Sequence, residues 1–304
     1  MMVYNMAIYY YQLRETVIML VTLNETLKIA EEKKIALGGF DVCNLESLRG
    51  ILAAAEKLQL PVVLMFAQLH EPFIPFSLIA PIMVKCAEEA SIPVSVQLDH
   101  GEDLDYLRRA LDFGFTGIMY DGSQLPYEEN LENTVKAVEL AAKYGASVEA
   151  ELGTMGKREY GDGISGEDDK TKIYTDPDLA GQFVKETGID ALACSFGTTH
   201  GIYLTKPKLD LDIVRRIRDN TGGIPIVMHG GSGVSEEDFH RCVDAGVRKI
   251  NYFTYMDKAG GTAAKAFADS VEEGKPVFYT AIVKAAEKAI EEDVEKTMAV
   301  FAKV

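Results

Sequence analysis

Residues 191–233 read ALACSFGTTHGIYLTKPKLDLDIVRRIRDNTGGIPIVMHGGSG. The stretch opens on a short apolar, β-leaning run, Ala191–Phe196, and closes on a second, Ile224–Met228, with a helical pattern over Asp210–Asp219 between them. Runs that are apolar on both faces are what parallel strands need when helices cover them. Each run also ends on unusual residues. Gly197-Thr198-Thr199-His200-Gly201 follows the first, and His229-Gly230-Gly231-Ser232-Gly233 follows the second.

The same rhythm extends in both directions. Further runs are Ile35–Phe40, Pro61–Phe66, Pro93–Leu98, Gly117–Tyr120, Ser147–Leu152 and Lys249–Phe253. Helical patterns lie between them at Leu45–Leu58, Asp103–Phe113, Glu128–Tyr144, Asp178–Glu186 and Glu236–Ala245. Asp176 before Pro177, and Ser235 before Glu236-Glu237-Asp238, are helix-start signals. Gly114, Gly145, Gly188 and Gly246 suit the left-handed position at which helices end. Eight strand–helix units in about 230 residues predict a closed (β/α)₈ barrel; a doubly wound open sheet is the competitor. The tail from Val277 to Val304 reads as one or two amphipathic helices. With no Pro/Gly/Ser linker, residues 19–304 read as one barrel domain. Residues 1–18 read as an extension that is disordered or precedes a natural start at Met19.

The chain has 304 residues, 47 acidic and 31 basic, for a formal charge of −16. That balance argues against nucleic acid or an anionic membrane as partner. Apolar residues make up 47%, enough for a large core and against dominant disorder. The four cysteines are scattered, and none forms a C-x-x-C pair, so neither a disulfide framework nor a cysteine zinc site is expected. No apolar stretch is long enough to span a bilayer, and residues 1–18 lack the pattern of a secretory signal. A cytoplasmic protein is the expectation.

In such a barrel, chemistry sits at the C-terminal ends of the strands. Of five histidines, His100, His200 and His229 fall there, in Asp99-His100-Gly101 and the two stretches above; His70 and His240 do not. Three imidazoles on one rim can meet at one zinc ion and leave a coordination position open. The competing reading gives each histidine only local hydrogen bonds, and makes Asp99 a helix cap. Glycines after His229 let backbone N–H groups approach an anion, with Ser232 as a further donor and Asn251 and Thr254 on the neighbouring loop. A plain turn is the alternative there. Glu149 and Glu151, two apart on one strand, share a face and can both reach the pocket, one behind a histidine and one near the metal. The long polar segment Gly153–Tyr174 carries Glu159, either a mobile base or part of a solvated loop.

Asp99-His100-Gly101, Asp121-Gly122-Ser123 with Glu128-Glu129-Asn130, Ser147–Gly153, Tyr174-Thr175-Asp176-Pro177, Gly197–Gly201, His229–Gly233 and Lys249-Ile250-Asn251 together resemble the class II, metal-dependent ketose-bisphosphate aldolases, the group of fructose- and tagatose-bisphosphate aldolases. The likeness spans roughly residues 19–265. It implies a (β/α)₈ barrel that splits a ketose 1,6-bisphosphate reversibly into dihydroxyacetone phosphate and glyceraldehyde 3-phosphate. By resemblance His100, His200 and His229 bind one Zn²⁺, with Glu151 able to approach it and Glu149 behind a ligand. Asp99 exchanges a proton with the aldehyde oxygen, and Glu159 with dihydroxyacetone phosphate. Gly201, Gly230, Gly231, Ser232, Asn251 and Thr254 hold that phosphate, beside a monovalent cation, Na⁺ or K⁺, in several members. The partner is a small phosphorylated sugar, and a homodimer or homotetramer is implied.

The physical logic agrees. Breaking a bond beside a carbonyl leaves a carbanion that a Lewis acid stabilises. A class I enzyme would use a lysine Schiff base instead, and three histidines, not lysines, mark the strand ends. The chain departs from the usual pattern at Asp41, Ala67, Tyr252, Phe253, the Gly156-Lys157-Arg158-Glu159-Tyr160 stretch and the C-terminal part. These departures fall on the aldehyde half. They leave open the same chemistry on another acceptor, or a non-catalytic metal- and phosphate-binding barrel.

Overall fold

The computed structural model describes residues 19–153, 174–199, 201 and 206–304. Eight parallel strands close into a barrel in chain order: β1 Leu37–Asp41, β2 Val62–Ala67, β3 Val94–Gly101, β4 Gly117–Tyr120, β5 Ser147–Leu152, β6 Ala191–Cys194, β7 Ile226–Met228 and β8 Val247–Asn251. The ring shuts where β1 pairs with β8, Gly39 opposite Asn251. Helix α1, Leu23–Lys33, precedes β1. Helices α2 Leu45–Leu58, α3 Phe76–Glu89, α4 Leu104–Asp112, α5 Tyr127–Ala142, α6 Pro177–Thr187, α7 Leu211–Thr221 and α8 Glu236–Ala245 then alternate with the strands. After β8 come α9, Thr254–Ser270, and α10, Tyr279–Ala302. This is the (β/α)₈ barrel, not the open sheet. The expected runs are met within a few residues, and the tail forms one long helix.

Strand alternation sorts the core into two layers. Outward residues such as Leu64, Phe66, Val96, Leu98, Val148, Leu192, Met228 and Ile250 pack between the strands and the helices. Inward residues Val63, Met65, Met119, Ala191, Ala193 and Val227 cluster with Leu23 and Leu27 of α1. Helix α1 closes the mouth at the strand starts, where Val94 N–H donates to the Met19 carbonyl at 2.8 Å and Asn24 Nδ2 to Asp190 Oδ1 at 3.0 Å. Nearer the strand ends the inward face turns polar, with Gln97, Asp99, Glu149, Glu151, Lys249 and Asn251 all buried. The apolar plug therefore supports a polar chamber.

Local signals act as read. Asp176 caps α6, accepting from Asp178 and Leu179 N–H groups at 2.8 and 2.9 Å, with Pro177 in the first turn. Ser235 caps α8. The cap of α4 is Asp103, which accepts from Tyr106 N–H at 2.7 Å, so Asp99 has no capping role there. Among the described residues no helix is long and apolar enough to cross a membrane.

Helix α10 lies across α2, and Gly50 permits the approach. A Cβ at Gly50 would sit 2.8 Å from Ile290 Cγ2 and 3.2 Å from the Glu287 carbonyl oxygen. Gly50→Val is expected to destabilise the protein by about 1–3 kcal/mol through overpacking, lowering Tm by several degrees. Thermal unfolding followed by circular dichroism checks this; an unchanged Tm would show that the helices separate freely.

Candidate active site

His100, next to last in β3, has a left-handed backbone, φ 48°, uncommon for a residue with a side chain. The β3–β4 register also shifts between Leu98 and Gly101. Such an irregularity re-aims a side chain, here toward the barrel axis. His100 Nδ1 lies 2.7 Å from Oδ2 of Asp121, just past β4. Burial would raise Asp121, but its bond to His100, the His100 charge and the Ser123 contacts hold it well below the usual carboxylate range. An ionised carboxylate only accepts, so the proton on that side belongs to His100 Nδ1 and its Nε2 faces inward.

His229, just past β7, is arranged in the opposite sense. Its Nε2 lies 2.9 Å from Oε1 of Glu149, and its Nδ1 lies 3.1 Å from His100 Nε2. Glu149, Lys249 and His229 are fully buried. Lys249 Nζ and Gln97 Nε2 both donate to Glu149 Oε2, at 2.8 and 2.9 Å. Burial would raise Glu149; the Lys249 charge and the His229 bond outweigh it and hold it far below its ordinary value. The carboxylate therefore fixes the His229 proton on Nε2.

Two imidazoles are thus turned nitrogen to nitrogen, each with its far nitrogen on a carboxylate. Facing lone pairs repel unless a proton or a cation lies between them. Burial opposes a charged His100, yet the Asp99, Asp121 and Glu151 carboxylates raise it well above its usual value, so a proton can fill the gap. Glu151 Oε2 lies 3.8 Å from His229 Nδ1 and has no hydrogen-bond partner. Burial and the neighbouring Asp121 push this carboxyl well above the usual range. Asp99, His100 and His229 each offer an atom within 4.8 Å of the others, as do His100, Asp121 and Glu151.

These residues fit a divalent metal. Nitrogen ligands 2.0–2.1 Å from a tetrahedral zinc lie about 3.3 Å apart, close to the separation of the two imidazoles. Histidine ligands ordinarily carry a carboxylate on the far nitrogen, and both do here. The orphaned oxygen of Glu151 supplies a further donor. His200 and Glu159 lie outside the described residues, so the third expected imidazole and the expected mobile acid are not placed.

A cleft open to solvent adjoins the pair. Asp99, His100, Gly201, Gly230, Ser232, Asn251 and Thr254 line it, so most of the expected site residues converge. Gly231 does not line it. Its N–H donates to the Asn251 carbonyl at 3.1 Å, and a Cβ there would meet Ile250 Cγ2 at 2.7 Å, so Gly231 brings the two loops together. Asn251 Nδ2 donates to Asp99 Oδ1 at 3.0 Å. Helix α9 begins at Thr254 without a side-chain cap, and Tyr255 N–H donates to Ser232 Oγ at 3.4 Å. A helix start beside Ser232 favours an anion.

One sequence expectation is corrected. His70 does not lie away from the rim: it ends a one-turn helix, Gln68–His70, directly after β2, and lines the same cleft. A three-residue turn leaves no periodic signal by which to place it. Lys249 is the middle residue of β8 and lies fully buried in the barrel interior. It donates to Glu149 and does not line the cleft, so it is not presented as a Schiff-base nucleophile. Asp121, Gln97 and Lys249 were not expected in roles behind the histidines. The signal was available: 97/99, 149/151 and 249/251 repeat the same inward spacing on three strands. Asn130 also acts from behind, its Nδ2 holding the Glu151 carbonyl at 2.9 Å.

Residues 21–304 match the family model described as fructose-bisphosphate aldolase class-II. A fructose-bisphosphate aldolase of Geobacillus stearothermophilus is 41% identical over 238 residues, 77% of this chain and 81% of that protein. A probable fructose-bisphosphate aldolase of Bacillus subtilis is 37% identical, covering 93% of this chain and 97% of its own. The crystal structure of the YdjI aldolase from Escherichia coli superimposes with a TM-score of 0.81 at 31% identity, over 93% of this chain and 97% of that one.

Two predictions follow from the buried charges. Lys249→Met leaves Glu149 without its cation and should cost about 3–5 kcal/mol, most of it recovered by adding Glu149→Leu. Chemical denaturation of the three metal-free proteins checks this, and additive losses would break the proposed coupling. Burial pulls the His70 imidazole down to about 4 from its ordinary value of 6.5. Below pH 6.5 the unfolded chain takes up a proton that the folded chain refuses until about pH 4, so this group's stability contribution is complete above pH 6.5. On the order of 3 kcal/mol is lost across that window, and His70→Phe should remove this part of the pH slope in the same measurement.

Proposed function

The chain belongs to the class II fructose-bisphosphate aldolase family, metal-dependent lyases acting on phosphorylated sugars, and on that premise we propose that it is a zinc-dependent aldolase. It splits a ketose phosphate reversibly into dihydroxyacetone phosphate and an aldehyde. The first substrates to consider are the 1,6-bisphosphates of fructose and tagatose, which differ only at C4 and would yield glyceraldehyde 3-phosphate. One observation carries the reading: His100 Nε2 and His229 Nδ1 face each other at 3.1 Å with a carboxylate behind each ring.

His100, His229 and Glu151 would hold the ion together with His200, and Glu149 and Asp121 orient the two rings. When bound, the ion supplies Lewis-acid polarisation of a substrate carbonyl. In the cleavage direction Asp99 takes the proton of the C4 hydroxyl, the C3–C4 bond breaks and its electron pair remains on C3. Glu159 then returns a proton to C3. Asn251 holds Asp99 Oδ1, which leaves Oδ2 for the hydroxyl. Gly201, Gly230, Ser232 and Thr254 line the cleft beside the start of α9 and are assigned to the phosphate of dihydroxyacetone phosphate. Gly231 supports that loop, and Asn251 lines the cleft while its amide nitrogen donates to Asp99. The reading carries with it one Zn²⁺ per chain, Na⁺ or K⁺ beside the phosphate, a homodimer or homotetramer, and a cytoplasmic location. A second reading keeps the chemistry and changes the aldehyde; it is favoured by Asp41, Ala67 and Phe253 on the cleft wall, where the family's usual pattern differs.

A retro-aldol assay on both bisphosphates, with metal analysis of the same sample, tests the proposal. We expect about one zinc per chain and loss of activity on chelation. His229→Ala should lower kcat/KM by at least about 100-fold, since even partners behind a ligand are worth 10–100-fold. Full activity and metal content in His200→Ala would count decisively against the reading. Tight binding of dihydroxyacetone phosphate without exchange of its C3 proton would instead identify a non-catalytic barrel.

A further inference from the structure

We propose that His70 and Phe253 form a neutral subsite for the aldehyde half, so that the favoured acceptor is a hydroxylated aldehyde without a phosphate. The inference rests on the aldolase reading above and specifies its substrate class.

His70 is only 2% exposed, yet it lines the cleft with Ala67, Leu69 and Phe253. Its ring centroid lies 4.8 Å from that of Phe253 and 6.4 Å from that of Phe66, in the outward layer. The ring is thus clamped by aromatic contacts, and its Nδ1 is buried with no hydrogen-bond partner. Buried polar atoms are rarely left so, and one on the wall of a cleft is completed by what enters the cleft. An imidazole kept neutral by its surroundings carries one N–H and one lone pair, which is the complement of a hydroxyl. Burial holds His70 well below neutral pH, so it supplies no positive charge.

The charges on the same wall point the same way. Asp41, at the end of β1, and Asp99, on β3, both line the cleft. Among the described residues lining it there is no lysine or arginine. Among the described lining residues, a phosphate dianion brought to His70 would face the Asp41 and Asp99 carboxylates and no cation, and a buried charge without a partner is costly. Hydroxyl groups would instead donate to the carboxylates and exchange a hydrogen bond with His70, while the Phe253 ring covers the carbon chain. His70 follows β2 and Asp41 ends β1, the helix start and Ser232 lie on the loops after β8 and β7, and Phe253 belongs to the β8 loop with its ring against His70.

The test uses the full-length, zinc-loaded protein with dihydroxyacetone phosphate. It compares D-glyceraldehyde with D-glyceraldehyde 3-phosphate and reads C3 proton exchange in the same samples. We expect kcat/KM for glyceraldehyde to exceed that for its phosphate by at least about tenfold. His70→Phe should raise KM for glyceraldehyde about tenfold by removing the hydrogen bond. Leu69→Lys should move the ratio about tenfold toward the phosphorylated aldehyde by supplying the missing cation. Exchange accompanied by equal or better use of the phosphorylated aldehyde overturns this proposal alone, as does a ratio unmoved in both variants. Absence of exchange overturns the aldolase reading and this proposal with it.

Discussion

Two imidazoles held nitrogen to nitrogen, 3.1 Å apart, are the constraint around which the barrel's polar end is organised. Left alone, such a contact is repulsive, because each ring presents a lone pair to the other. It persists because Asp121 and Glu149 pin the protons on the far sides. The gap then demands a positive species, either a proton or a metal ion. The Asp121 and Glu149 carboxylates behind the rings, with Asp99 beside them, make the centre a trap for a cation.

Holding that trap requires charge deep inside the protein. Glu149 and Lys249 are fully buried beneath the histidines, where an isolated ion would be very unfavourable. Each is tolerable only because the other is present and because Gln97 and His229 complete the hydrogen bonds of Glu149. The arrangement belongs to strands β3, β5, β7 and β8, so it exists only once the barrel has closed. Rigid strands then carry the donors, while the left-handed backbone at His100 gives the one turn a regular strand could not.

The cleft beside this centre is chemically uneven. The loops after β7 and β8 offer a hydroxyl and the open start of a helix, both suited to an anion. The wall after β1 and β2 offers a carboxylate and a neutral imidazole, with the Phe253 ring of the β8 loop against that imidazole. One barrel rim can thus hold a charged end and an uncharged end of the same molecule, because neighbouring loops are built independently of one another.

Much of this was written in local sequence. Eight apolar runs alternating with helical patterns fixed the barrel, since a strand covered on both sides and an amphipathic helix leave their periods in the chain. Caps at Asp176 and Ser235 were legible for the same reason, as were His100 and His229 at their strand ends and the shared face of Glu149 and Glu151. Partnerships were not legible. That Asp121 serves His100, that Lys249 neutralises Glu149, that Asn251 holds Asp99, and that His70 stands on the cleft wall all depend on residues brought together across the closed ring. Local periodicity encodes which way a side chain points, but only closure of the barrel decides what it meets there.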